Sequence, residues 1–112
     1  MNILVTGGAG FIGSQIADAL IGQGHNVTIV DDLSTGSLDN VNPEARFVKM
    51  DIRAESLTNL FAESNFNVLI HHAAQMDVRK SVEDPKFDAS VNIIGSLNLL
   101  ENCVRFKIEK FI

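Results

Sequence analysis

Residues 6–13, with the sequence Thr-Gly-Gly-Ala-Gly-Phe-Ile-Gly, decide the fold of this chain. They follow a short run, residues 3–5 (Ile-Leu-Val), which is too short for a helix and typical of a buried parallel strand. After them, apolar residues recur at helical spacing, at Ile12, Ile16, Ala19 and Leu20. This spacing predicts a helix with one face packed on a sheet. A strand, a tight glycine turn and a helix together indicate a phosphate-binding loop.

Each of the three spaced glycines has a separate steric role. Gly7 lets the chain turn sharply off the strand, where a Cβ would clash. Gly10 leaves room for a pyrophosphate beside the backbone, and Gly13 lets the helix lie close to the strand. The free N–H groups of the first helical turn then face the phosphates, and the helix dipole adds about 0.3–1 kcal/mol. No Lys follows the glycines, which excludes the nucleoside-triphosphate type of glycine loop.

A carboxylate follows the glycines at the spacing of a dinucleotide fingerprint. Residues 27–31 (Val-Thr-Ile-Val-Asp) predict a second strand that ends at Asp31, about 20 residues on. This carboxylate can accept hydrogen bonds from both hydroxyls of an adenosine ribose. It would repel a 2′-phosphate by about 1 kcal/mol in water and about 4 kcal/mol at an effective dielectric constant near 20. Because no Arg lies beside it, we predict NAD and not NADP. The alternative role, capping of a turn through its own backbone, we assign to Asp32 rather than to Asp31.

Length, composition and charge narrow the class of protein. With 112 residues and 46% hydrophobic content, the chain forms at most one domain, near the lower size limit of an α/β fold. Its net charge of −5 and the lack of a Lys/Arg cluster argue against nucleic acid and anionic membranes as partners. No apolar run approaches a bilayer span, and we find no signal peptide. Cys103 is alone, which fits a cytoplasmic protein, and we interpret it as a packed apolar side chain.

The rest of the chain continues the alternation of strands and helices. Strands are predicted at residues 46–50, 67–72 and 110–112, with a short helix around Leu57, Leu60 and Phe61. The loop before the third strand has room for one helical turn. A long helix is predicted to start at Asp84-Pro85 and to carry an apolar face of Val91, Ile94, Leu97, Leu100 and Val104. This order predicts an α/β fold, a doubly wound parallel sheet with right-handed crossovers. Ligands bind such sheets at the carboxyl ends of the strands, where the strand order reverses.

Five motifs occur along the chain in a characteristic order. They are residues 6–13, 31–36 (Asp-Asp-Leu-Ser-Thr-Gly), 51–53 (Asp-Ile-Arg), 71–74 (His-His-Ala-Ala) and 92–101 (Asn-Ile-Ile-Gly-Ser-Leu-Asn-Leu-Leu-Glu). Together they resemble the extended short-chain dehydrogenase/reductases, and within them nucleotide-sugar epimerases of the UDP-glucose 4-epimerase type. The resemblance covers essentially the whole chain and implies a Rossmann domain that binds NAD.

The resemblance implies where each part of NAD would lie. The pyrophosphate would contact the backbone amides of Phe11 and Ile12, and residues 31–36 would enclose the adenosine ribose. The Asp51 carboxylate would accept a hydrogen bond from the adenine amino group, while Ile52 would pack on the adenine face.

The groove beneath the pyrophosphate and the nicotinamide ribose would be formed by residues 72–76 and braced by Asn92. Met76 differs from the Lys of some epimerases, which leaves an additional cationic contact in doubt. His71 and His72 point to opposite faces of a strand and cannot bind one metal ion together, so we expect one of them to be a packed core histidine. We expect no metal-binding and no catalytic residue in this chain. The implied cofactor-binding residues are Gly7, Gly10, Phe11, Ile12, Gly13, Asp31, Asp32, Leu33, Ser34, Thr35, Gly36, Asp51, Ile52, His72, Ala73, Ala74, Gln75, Met76 and Asn92.

The resemblance also implies a reaction for the intact protein. An isomerase of this type passes a hydride from the sugar C4 to NAD and returns it to the opposite face, with a Tyr-Lys pair and a Ser or Thr for proton transfer. This chain contains no Tyr. We therefore expect residues 1–112 to be the N-terminal part of the NAD-binding domain, without the catalytic segment and the substrate domain, and inactive alone. The implied partner is a nucleotide sugar of the UDP-glucose/UDP-galactose class, used in carbohydrate metabolism by a homodimer.

Two alternatives remain open. The chain can be a non-catalytic NAD-binding module, or part of another nucleotide-sugar enzyme of the family, namely a 4,6-dehydratase, a decarboxylase or a reductase. Residues 110–112 stop inside a predicted strand, whereas domain boundaries fall in polar linkers, so we favour an enzyme fragment over a separate module.

Overall fold

The computed structural model describes residues 1–73, 84–86 and 90–112. Within them five strands form one parallel sheet in the order β3-β2-β1-β4-β5. The strands are β1 Asn2–Thr6, β2 Asn26–Asp31, β3 Arg46–Lys49, β4 Val68–His71 and β5 Lys110–Phe111. The helices are α1 Phe11–Gly22, α2 Leu57–Ser64 and α3 Gly95–Arg105, with a 3₁₀ turn at Leu38–Asn40 and a π-helical stretch at Ser90–Ile94 that leads into α3. The predicted doubly wound parallel sheet is confirmed, and its order reverses between β1 and β4.

The predicted strand ends differ from the observed ones by one or two residues, because ladder hydrogen bonds continue past the regular strands. The Met50 amide still donates to the Asp31 carbonyl (3.2 Å), and the His72 amide donates to the Thr6 carbonyl (2.9 Å). The Ile112 amide donates in the same way to Leu69 (2.9 Å). The single helical turn expected before β3 is the 3₁₀ turn.

The sheet has a core on each face, since successive residues of a strand point to opposite sides. Leu4 of β1 faces the core shared with α2 and α3, which contains Phe61 and Leu99. Val5 faces the core shared with α1, which contains Ala17. Both β1 residues are fully buried, as expected for the central strand of a covered parallel sheet.

Helix α1 is present as predicted, but only part of the expected face packs on the sheet: Leu20 packs against the core, whereas Ala19 is exposed. The buried residues are the small ones, Gly13, Ser14 and Ala17, whereas Ile12 is exposed. A Cβ on Gly13 would overlap the Gly7 carbonyl oxygen, so the helix lies too close to the glycine turn for a larger side chain. Close packing of the helix on the glycine turn therefore selects small residues at the start of α1, and Ile12 lies on the outside.

Helix α3 also packs through a different face from the one predicted. Its buried residues are Gly95, Leu99, Asn102 and Cys103. The predicted apolar face is exposed instead, at Ile94, Leu97, Leu100 and Val104. Gly95 permits this rotation, because a Cβ there would overlap the Ile52 side chain. Cys103 is buried as expected, and burial raises the pKa of its thiol.

The predicted helix start at Asp84-Pro85 agrees with the helical conformation of Pro85 and Lys86. In the described part of the chain, every helix is too short or too polar to cross a lipid bilayer.

Candidate functional site

The glycine turn after β1 is held by backbone contacts that leave no space for side chains. Gly7 has φ +71°, and a Cβ on it would lie 2.5 Å from the carbonyl carbon of His72. Its amide donates to the Val30 carbonyl (2.8 Å), and its carbonyl accepts from the Gly10 amide (3.1 Å). The turn is therefore built against β2 and the end of β4, and the left-handed conformation at Gly7 favours glycine there.

The start of α1 is open to the outside of the sheet. Gly10 is the N-cap, none of the described side chains caps the first turn, and that turn contains no acidic residue. The side chains of Phe11 and Ile12 are 78% and 59% exposed. The first N–H groups of a helix have no partner within the helix and carry its positive dipole end. This end of α1 is therefore suited to bind an anion through the backbone.

The Asp31 carboxylate lies between the glycine turn and the loop after β2. Asp31 is only 8% exposed, and its Oδ2 accepts a hydrogen bond from the Ala9 amide (3.0 Å). Its Oδ1 accepts from the Leu33 amide (2.7 Å), and Leu33 has φ +65°. Each carboxylate oxygen has a second lone pair, so both can accept a further hydrogen bond.

The second hydrogen bond corrects the sequence interpretation. Backbone capping was assigned to Asp32, whose Oδ1 accepts from the Ser34 amide (2.9 Å). Asp31 makes the same type of bond to Leu33. The two adjacent carboxylates thus both shape the turn, and Asp31 additionally ties it to the glycine turn through Ala9.

Beyond β3, Asp51 forms an ion pair with Arg53. The Asp51 Oδ1 accepts from the Arg53 amide and from its Nε, both at 2.9 Å. The side-chain hydrogen bond from Arg53 lowers the pKa of Asp51, against the opposing effect of burial, and the carboxylate raises the pKa of Arg53. Arg53 also donates from Nη1 to Ser90 Oγ (2.9 Å), which connects this loop to the stretch before α3.

A cleft of about 470 Å³ lies at the carboxyl ends of the strands. Most of the predicted cofactor-binding residues line it, namely Gly7, Gly10, Phe11, Ile12, Gly13, Asp31, Asp32, Ser34, Thr35, Asp51, Ile52, His72 and Ala73. Residues brought from four separate strand ends thus meet in one place.

Three predicted residues within the described part do not line the cleft: Leu33, Gly36 and Asn92. Leu33 instead donates its amide to Asp31. Gly36 packs on the glycine turn, where a Cβ would lie 2.7 Å from the Ala9 backbone. Asn92 lies in the π-helical stretch, where its carbonyl accepts from Ser96 Oγ (2.7 Å). The predictions for Ala74, Gln75 and Met76 fall outside the described residues.

The cleft also contains three residues that sequence reasoning did not include: Met50, His71 and Val91. Met50 could have been predicted to line the cleft, because it directly precedes Asp51 at a strand end. Val91 was assigned to an apolar helix face. His71 is half-buried and hydrogen-bonded, whereas His72 is exposed, and burial lowers the pKa of His71. Among the described residues, no group of three or more His, Cys, Asp or Glu is placed to hold a metal ion.

Open amides at the start of α1, a buried acid after β2 and a crevice where the strand order reverses are features that dinucleotide-binding domains share. Residues 3–112 match the model of the NAD dependent epimerase/dehydratase family. The chain belongs to this family, as its motifs indicated.

Similar proteins are named as UDP-glucose 4-epimerases. The chain is 47% identical over 110 residues to a protein of Methanocaldococcus jannaschii named "Putative UDP-glucose 4-epimerase". The aligned region covers 98% of this chain and 36% of the relative. The chain is also 47% identical over 106 residues to the UDP-glucose 4-epimerase of Mycolicibacterium smegmatis. Here the aligned region covers 90% of this chain and 34% of the relative.

Solved structures agree with these relatives. The UDP-glucose 4-epimerase of Thermotoga maritima with UDP-glucose has a TM-score of 0.97 at 46% identity, over 99% of this chain and 36% of that one. The enzyme of Thermus thermophilus in complex with NAD has a TM-score of 0.94 at 45% identity, with the same coverages of 99% and 36%. This chain thus spans about a third of the length of the relatives it matches. The prediction of NAD as the cofactor is confirmed by the family and by the Thermus complex.

Proposed function

We propose that residues 1–112 bind NAD in the cleft at the carboxyl ends of the strands. One observation carries the proposal: the uncapped start of α1 and the buried Asp31 carboxylate line the same cleft. The first provides backbone donors for a pyrophosphate, and the second provides acceptors for a ribose diol. Gly10 is the N-cap of α1 and also lines the cleft, and among the described residues a Cβ on it would approach only the Gly7 carbonyl oxygen, at 3.3 Å.

The same geometry supports NAD over NADP. Asp31 is held in place by the amides of Ala9 and Leu33, so it cannot move away from a 2′-phosphate without losing those hydrogen bonds. The described lining of the cleft contains no Lys or Arg that could neutralise such a phosphate. Ile52 and Asp51 at the far side of the cleft are the residues we assign to the adenine ring.

For the whole protein we propose a nucleotide-sugar epimerase of the UDP-glucose 4-epimerase type. The support is the similarity to epimerases over nearly all of this chain. Bound NAD would supply the hydride acceptor and donor for inversion at C4. The described residues would bind and orient the NAD. Proton transfer by a Tyr would need residues beyond these 112, since they include no Tyr. A homodimer, a cytoplasmic location and a role in carbohydrate metabolism stay predictions.

Calorimetric titration of the chain with NAD tests the cofactor site. Gly10→Val places a side chain where the pyrophosphate would lie and should abolish binding. Gly22→Val is the matched control, because a Cβ on Gly22, in the last turn of the same helix, meets no atom within 4 Å. It should bind NAD like the unchanged chain. Circular dichroism checks that both variants fold. Equal NAD binding by the two variants would contradict the proposed site.

A further inference from the structure

One histidine connects three elements beside the cleft. His71 is the last residue of β4 and lies in register with Thr6, the last residue of β1. Its Nδ1 is 2.7 Å from Thr6 Oγ1, and its Nε2 is 2.9 Å from Ser96 Oγ in the first turn of α3. The sheet order reverses between β1 and β4, and α3 follows the π-helical stretch. The imidazole therefore connects these two strands with α3.

The neighbours of Thr6 determine the direction of the first hydrogen bond. Thr6 Oγ1 already accepts from the Ala73 amide (3.2 Å) and from the His72 amide (3.1 Å), which it shares with the Thr6 carbonyl oxygen (2.9 Å). A hydroxyl has two acceptor lone pairs and one proton. With both lone pairs in use, the proton of Thr6 is donated to Nδ1 of His71. The Nδ1 atom is therefore an acceptor and carries no proton.

The second hydrogen bond follows from the first. A neutral imidazole without a proton on Nδ1 carries it on Nε2, so His71 donates to Ser96 Oγ. The Ser96 hydroxyl then donates to the Asn92 carbonyl oxygen, at 2.7 Å. The whole chain of hydrogen bonds runs in one direction, from Thr6 through His71 and Ser96 to Asn92, and it is complete only with the Nε2–H tautomer.

We propose that His71 is a positioning residue for the floor of the cleft. Its neutral Nε2–H imidazole orients the Thr6 hydroxyl, which in turn fixes the amides of His72 and Ala73. Through Ser96 it sets the position of α3 relative to that floor. The part of this inference that concerns the cofactor rests on the proposed NAD site, whereas the tautomer of His71 does not.

Protonation of His71 would break this arrangement. A proton on Nδ1 would point at the Thr6 oxygen, so the Thr6 hydroxyl would lose its acceptor and its hydrogen bonds to the amides would weaken. The His72 amide would keep its bond to the Thr6 carbonyl. Burial lowers the pKa of His71, and the charge of His72 lowers it further, which keeps the ring neutral at pH 7. Within residues 1–73, 84–86 and 90–112, the other contacts of the ring are uncharged: Thr6 on β1, Ser96 on α3 and the Phe111 ring on β5 at 6.0 Å. Lys110, the charged residue of β5, lies in register with Val68.

Nitrogen NMR of the imidazoles in the 112-residue chain tests the tautomer directly. At pH 7.5 we expect His71 to show a protonated Nε2 and an unprotonated Nδ1. A protonated Nδ1, or a ring that exchanges between the two tautomers, would overturn the inference whether or not NAD binds.

Two substitutions test the positioning role through NAD affinity. His71→Phe removes both hydrogen bonds and should weaken NAD binding by about 3- to 10-fold. His71→Asn keeps an acceptor near the position of Nδ1 and should restore most of the affinity. The unchanged chain should lose NAD affinity over the pH range in which NMR shows His71 becoming protonated. His25→Gln should show the same loss over the same range. His71→Asn should have lost this pH dependence.

The outcomes separate the two proposals. If the unchanged chain does not bind NAD, the proposed function fails while the tautomer result stands. If NAD binds but His71→Phe and His71→Asn bind it equally, or if His71→Asn keeps the pH dependence, the positioning role is wrong. Should His71→Phe not fold, the pH profile of His71→Asn against the unchanged chain decides alone.

Discussion

Replacement of Asp31 by Asn should relax the discrimination against NADP. The substitution keeps the size of the side chain and removes its charge. It also replaces one carboxylate oxygen by an amino group, which would face the donor N–H of either Ala9 or Leu33. A buried donor left without an acceptor costs about 1–3 kcal/mol, so we expect the variant to be less stable by that amount.

The effect on cofactor choice follows from the position of the carboxylate. Two unit charges about 4 Å apart repel by about 1 kcal/mol in water and about 4 kcal/mol at an effective dielectric constant near 20. Because Asp31 is 8% exposed, its charge is screened less than a surface charge, and the true value lies between these limits. At about 1.4 kcal/mol per factor of ten, the ratio of NADP to NAD affinity should rise by between about 5-fold and about 700-fold.

The assay is calorimetric titration of each variant with NAD and with NADP. The ratio of the two affinities is the useful quantity, because a lower folded fraction reduces both equally. Asp39→Asn is the matched control: it removes the same charge from an exposed position in the 3₁₀ turn and should leave the ratio unchanged. If folded Asp31→Asn has the same ratio as the unchanged chain, Asp31 does not face the ribose 2′-position and our account of cofactor choice is wrong.

Two other predictions concern the ion pair and the reaction. Arg53 lowers the pKa of Asp51 below 3.8, so the pair stabilises the fold above that pH and its contribution is lost as the pH falls through the lowered pKa. Both side chains are about one-third exposed, so loss of the ion pair in Arg53→Met should cost less than about 1 kcal/mol at pH 7 in urea unfolding. At low pH the cost should fall to what remains from the hydrogen bond of Arg53 to Ser90. A cost that is independent of pH would contradict the ion-pair explanation. The 112-residue chain should give no epimerase turnover with UDP-galactose and NAD in a coupled assay, and measurable turnover would show that no Tyr is required.

The fold could be predicted because the residues that indicate it, above all the glycines, are required by the conformation of the backbone. Glycine at positions 7 and 13 is imposed by a left-handed turn and by overlap with a carbonyl oxygen, and neither depends on a distant partner. The helix faces were not predictable in this way. The apolar residues Leu97, Leu100 and Val104 have ideal spacing, yet the sheet packs against the face that contains Gly95 and Leu99. Helical spacing identifies a face, but it does not show which of two faces fits a given backbone separation.

Residues of the site could be predicted where they directly follow a strand. They could be predicted less well where their role depends on hydrogen bonds to residues far away in the sequence. Asp31 and Asp51 follow strands directly, and both line the cleft. The role of His71 depends on Thr6 and Ser96, which are 65 and 25 residues away in the chain. No local pattern encodes such a network. The bond from Leu33 to Asp31 escaped the sequence interpretation for a different reason, since two adjacent acids can form consecutive turns of the same kind.

The partner of each carboxylate in the cleft determines what that carboxylate can still bind. Asp51 is neutralised by Arg53, and Arg53 also feels the charge of Asp32. The guanidinium that could have attracted a 2′-phosphate is therefore already paired with one acid and lies in the field of a second. Asp31, by contrast, is held by the neutral amides of Ala9 and Leu33, which orient it without cancelling its charge. A ligand that approaches the ribose end of the cleft would meet an uncompensated negative charge, which favours hydroxyl groups and excludes a phosphate.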